Sequence, residues 1–210
     1  MKKLFLLICI CALFTSCSKD DNSLGGDGDL TMNTVGNEFF GSINLGGTYF
    51  ETNESIKVVS NVGGLLTLSV KSLLPINHPL TILIPKNLKD SQGNLDTQVK
   101  VKNTADGILD YTNSDAAPQV LVKYNASVGD KYILKKSNGQ TITRTVTAKS
   151  TEDDYPYAFM YIKVITVEQD SRIPGVKKIV YHANHKFGLV GVSIEMEDGT
   201  SSKITLMSKL

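Results

Sequence analysis

Beyond residue 17 the chain has no cysteine. Cys9, Cys11 and Cys17 are all at the N-terminus. The remainder therefore has no disulfide, thiolate-held zinc, iron–sulfur cluster or cysteine nucleophile. Stability has to come from packing and strand pairing. Tryptophan is absent too, which removes the commonest ring for stacking on sugars and leaves tyrosine for that role. Nor is there an excess of one charge: residues 17–210 carry 20 Lys plus Arg against 21 Asp plus Glu. Such a chain has no basic field to draw in nucleic acid. The longest apolar run, from Leu4 to Phe14, falls short of the roughly 20 residues a spanning helix needs. GxSxG, HExxH, a phosphate-cradling glycine loop and a dinucleotide fingerprint are all missing.

Helical periodicity is nearly absent, whereas Thr, Val, Ile and Tyr are plentiful in short runs broken by turn residues. This pattern predicts strands at about 39–44, 47–52, 55–60, 64–71, 79–85, 96–102, 118–124, 129–136, 140–149, 157–168, 177–183, 188–197 and 202–208. Asn138-Gly139 predicts a two-residue hairpin turn, and Asp198-Gly199 a similar or longer one. A short helical turn is expected near Lys86–Asp90. Ile142, Val146 and Ala148 alternate with threonines, and Val190, Val192, Ile194 and Met196 alternate with polar residues. That is the pattern of antiparallel strands with one wet face. Phe159 to Val167 is apolar on both faces and predicts a central, covered strand. The expected fold is all-β, an antiparallel β-sandwich or a partly closed β-barrel.

The N-terminus carries an address. Lys2 and Lys3, the apolar run and the small residues Thr15 and Ser16 form a secretory signal peptide over residues 1–16. Cys17 follows at once, and this layout resembles the lipobox of bacterial lipoproteins, with Phe14 where leucine is usual. The resemblance implies acylation of Cys17 and a membrane anchor. Ser18-Lys19-Asp20-Asp21-Asn22 resembles the short acidic tag of Bacteroidota lipoproteins displayed on the outer membrane. It implies a lipid-anchored protein facing the cell exterior.

Residues 17–36 are rich in Ser, Asp, Asn and Gly and read as a flexible tether. Residues 37–103 form an N-terminal β region and 104–210 a C-terminal β-meander, separate or joined in one domain. The span 103–117 is the expected boundary.

In the run 153–161, Tyr155, Tyr157 and Tyr161 alternate with Phe159 beside Asp153 and Asp154. Exposed rings flanked by carboxylates suit sugar recognition, although an aromatic stripe on a strand also packs cores. Arg144 lies in line with Ile142 and Val146 on the apolar face, where a cation needs a partner; Glu168 and Glu195 are the candidates. His182 and His185 are too close along a strand to share a face and lack further ligands, so no metal is expected. His78, between Asn77 and Pro79, reads as a loop residue. No cofactor is expected.

These readings favour a non-catalytic binding or accessory module at the envelope, holding a glycan, a peptide or an outer-membrane partner. A structural or assembly lipoprotein without a small ligand is the alternative. A hydrolase with an unrecognised carboxylate pair ranks third.

Overall fold

A computed structural model of the chain describes residues 22–45, 48–51, 55–72, 89–91 and 94–209. The signal segment, Cys17, the strand expected at 79–85, His78 and most of the helical turn expected at 86–90 lie outside the described residues.

The chain is all-β, as expected. The one helix among the described residues is a three-residue 3-10 turn, Thr31–Asn33. The first half supplies β1 (Glu38–Leu45), β2 (Thr48–Glu51), β3 (Ser55–Val62), β4 (Leu65–Ser72), β5 (Leu95–Thr104) and β6 (Gly107–Asp110). The second half supplies β7 (Gln119–Lys123), β8 (Lys131–Lys135), β9 (Thr141–Lys149), β10 (Tyr155–Tyr157), β11 (Met160–Ile162), β12 (Ile165–Asp170), β13 (Val176–Asn184), β14 (Gly188–Met196) and β15 (Ser201–Ser208).

Twelve strands follow one another in a single antiparallel sheet, ordered β7-β6-β5-β4-β3-β1-β15-β14-β13-β12-β9-β8, with β2 added beside β1. The sheet curls until it is nearly closed, giving a barrel rather than a sandwich. β5 runs through the boundary expected at residue 103, and β6 lies inside the expected 103–117 linker. Both β regions belong to one sheet.

Local chemistry accounts for several breaks in the strands. The β8–β9 turn is a three-residue loop, not the two-residue turn expected: Lys136 N–H bonds Gln140 O at 2.8 Å and only Gly139 has positive φ, at 80°. A type I turn followed by a left-handed glycine closes such a hairpin. Asp198-Gly199 repeats the motif, with Met196 N–H bonding Thr200 O and Gly199 at φ 85°. Along β9 the inward alternation of Arg144 and Val146 ends in a bulge, since Thr166 pairs Ala148 while Val167 pairs Val146. The extra residue turns Ala148 out to solvent.

The continuous covered strand expected from Phe159 to Val167 does not form. Tyr155–Ile162 folds back on itself as the β10–β11 hairpin, with Ala158 at φ 51° in its turn. Phe159 is fully exposed, and Met160 and Tyr161 are also exposed.

Residues 22–36 are not a free tether. Leu24 packs in the main core cluster with Val120, Val122, Val146 and Val167. Met32 is buried and Asn33 is fully so. Asn33 Nδ2 donates to Gly28 O and Asn103 O, both at 2.8 Å. Low apolar content predicts disorder only when the polar groups find no partners, and here they find them.

Candidate ligand-binding lumen

Strand pairing puts one set of apolar side chains on the inner face. Phe39 pairs Ile56 and Leu66 pairs Val101, and paired residues point the same way. With Leu68, Leu121 and Leu206 they line a cavity of about 250 Å³, partly open to solvent. An engineered apolar cavity of about 150 Å³ stays dry and binds benzene, so this lumen has room for a larger apolar group.

Four polar side chains also line it: Asn103, Asp110, Thr112 and Tyr181. Asp110 is held tightly. Its Oδ2 accepts from Arg144 Nη2 at 2.6 Å, and its Oδ1 accepts from Thr112 N–H and Oγ1–H at 2.7 and 2.6 Å. Burial pushes the Asp110 carboxyl up, but Arg144 and Thr112 outweigh it and hold it below the ordinary carboxylate value. Arg144 is 3% exposed. Its Nε donates to Gln169 Oε1 at 2.8 Å and its Nη1 to Val120 O at 3.3 Å. The guanidinium also sits 5.3 Å from the Tyr181 ring centre. Desolvation dominates at the Tyr181 hydroxyl and raises its pKa.

Arg144 is thus buried and paired, but not with the acids expected. Gln169 stands opposite Arg144 in register, whereas Glu168 stands opposite Thr145 and so faces outward. Glu168 and Glu195 both pair with Lys178 on the outer face, at 3.1 and 3.3 Å. The true partner, Asp110, is on β6, inside the span 103–117 expected as a boundary.

The same network helps to close the barrel. No ladder joins the end strands β7 and β8 among the described residues. Side chains bridge them instead. Asn22 Oδ1 accepts from Val120 N–H on β7 at 3.3 Å, and its Nδ2 donates to Ile133 O on β8 at 3.2 Å. The Tyr132 hydroxyl accepts from Lys123 N–H at 3.2 Å.

The tyrosines expected to form a sugar platform separate. Tyr155 and Tyr157 are buried against Ile162, Val164 and Val190, because the hairpin lies flat on the outer face of β13–β15. Tyr155 stacks on His182 with centroids 4.9 Å apart, and Lys203 Nζ is 4.6 Å from its ring centre. Burial, with a smaller contribution from Tyr157, pushes its hydroxyl up to about 12. Tyr161 is on the opposite, exposed face. Asp153 and Asp154 are exposed, and Asp154 is turned toward Ser150 at 2.6 Å. The five residues form no common surface.

His182 lies beneath Tyr155, whereas His185 is exposed in the following turn. Burial, then the charge of Lys203, lowers the His182 pKa to about 4. No three metal-ligating side chains converge among the described residues.

No protein-family model matches the chain, and no curated protein does. Among solved structures it is similar to a DUF1329 family protein from Desulfovibrio piger. Identity is 9% and the TM-score 0.25, over 81% of this chain and 82% of the other. A likeness at that level carries no functional argument.

Asn22, Asn103, Asp110 and Gln169 were not singled out by the sequence. A buried asparagine looks the same in sequence as a turn asparagine. The one usable signal was GILD at 107–110, an apolar run that ends in an acid.

Proposed function

We propose that this chain is a lipid-anchored envelope protein whose barrel lumen binds a small, mostly apolar molecule without transforming it. One observation carries the ligand class: Phe39, Ile56, Leu66, Leu68, Leu121 and Leu206 converge on a cavity of about 250 Å³. A barrel that needed only to fold would fill that space with side chains, as small barrels do. Apolar walls with a few placed polar groups are the usual form of a small-molecule site. The lipobox-like segment ending at Cys17 and the acidic Ser18–Asn22 tag support acylation at Cys17 and an outer-membrane location facing outward. A glycan platform is not retained, since Tyr155 and Tyr157 are packed in a core.

Binding is tested by titrating the neutral fluorophore N-phenyl-1-naphthylamine into wild type and a Leu68→Trp variant. Saturable one-to-one binding that the indole abolishes is the expected result. Absence of saturable binding, or equal binding by both proteins, overturns the lumen reading. For the anchor, a Cys17→Ser variant loses incorporation of labelled palmitate; unchanged labelling overturns it. Protease shaving of intact cells, with a periplasmic control, tests display outside the cell.

A further inference from the structure

We infer that the lumen selects apolar molecules bearing a neutral hydrogen-bond donor, a hydroxyl or amide N–H, with Asn103 Oδ1 as its acceptor. This rests on the lumen reading and adds the chemistry of the polar end.

Asn103 lines the cavity and is 6% exposed. Its Nδ2 donates to Asn33 Oδ1 at 2.9 Å. Its Oδ1 has no hydrogen-bond partner among the described residues. The amide cannot simply be turned round. Asn33 Nδ2 is committed to Gly28 O and Asn103 O, so Asn33 presents its oxygen to Asn103, and a flipped Asn103 would set two carbonyl oxygens against each other. The orientation of this acceptor is therefore fixed by Asn33, in a side chain that borders the cavity. A buried acceptor left without a donor is costly, and a ligand hydroxyl or N–H removes that cost.

The other lining groups argue against charged heads. No Lys, Arg or His is among the described lining residues. The nearby cation, Arg144, is engaged by Asp110, Gln169 and Val120 O. A ligand carboxylate would therefore lose its water and meet no cation, while the Thr112 and Tyr181 hydroxyls already donate to Asp110 and Gln169. An ammonium gains little either, because both Asp110 oxygens are occupied by Arg144 and Thr112. Two register positions separate Asn103, opposite Ile108, from Asp110, opposite Val101. A donor at Asn103 thus leaves the apolar tail to run along Leu66, Leu68 and Leu206.

The test is competition against bound N-phenyl-1-naphthylamine by 1-decanol, decyl methyl ether, decanoate and decylammonium at pH 7. 1-Decanol should bind about tenfold tighter than the ether, which keeps the oxygen and lacks the proton. Both ions should bind more weakly than the alcohol. An Asn103→Leu variant should erase the alcohol's advantage while keeping ether affinity. If that variant does not fold, the wild-type series decides alone. Equal affinity for alcohol and ether, or tighter binding of either ion, overturns the donor inference and leaves the lumen reading standing. Failure of all four to compete overturns both.

Discussion

Arg144 Nη2 and Asp110 Oδ2 are 2.6 Å apart across the seam of the barrel, joining β9 to β6 although among the described residues no backbone ladder joins β7 to β8. Both charges are out of bulk water, so each depends on the other. Arg144→Met leaves a buried carboxylate and should destabilise by about 3–5 kcal/mol. The double variant Arg144→Met/Asp110→Leu should cost less than the single change, because no charge is left alone. Urea denaturation of the three variants measures this; a double variant as unstable as the sum of the singles contradicts the pairing.

Asn22 does the work of a missing ladder bond, accepting from Val120 and donating to Ile133. Asn22→Ala should cost about 1–2 kcal/mol. It should also speed hydrogen exchange at the Val120 amide more than at amides within β13 and β14. Uniform acceleration across the sheet would show that Asn22 is not a local bridge.

Tyr155 carries a buried hydroxyl with no partner among the described residues. Tyr155→Phe should therefore leave stability within about 0.5 kcal/mol or raise it. Gly191 is different. A Cβ there would run into Tyr155 Oη, so Gly191→Ala must displace the Tyr155 ring. Loss of about 1–3 kcal/mol is expected. Pairing Gly191→Ala with Tyr155→Phe should recover part of it, as thermal melts of the single and double variants would show.

His182 gives a pH dependence of known sign. Its ordinary value is 6.5 and its folded value about 4. Above pH 6.5 the imidazole is neutral in both states and contributes nothing. As pH falls from 6.5 toward 4, the unfolded chain takes up a proton that the folded chain refuses, and stability drops. The melting temperature should fall by roughly several degrees across that window. His182→Phe should flatten the slope there. An unchanged slope would mean that another group sets it.

Strand positions were legible because period-2 alternation is local. β3, β4, β13, β14 and β15 begin and end within two residues of where alternation and turn residues put them. The barrel itself was not, because closure depends on which strands come to lie side by side. That is why Arg144 could be placed on the inner face while its partner was misassigned: the face follows from alternation, the partner from topology. Tyr155 and Tyr157 were correctly aligned on one face, but the sequence could not tell a face on solvent from one on the outside of another sheet. The packing of residues 22–36 was hidden for a related reason, since Asn22 and Asn33 act through side-chain hydrogen bonds to strands distant in sequence.

The seam also sets a geometric limit. Asn22 is pinned to both end strands, and it follows Cys17 by five residues. A chain gains at most about 3.3–3.6 Å per residue, so if Cys17 is acylated as proposed, its Cα can stand no more than roughly 18 Å from Asn22. The barrel would ride on a short leash. It would be free to pivot over the lipid surface but unable to leave it.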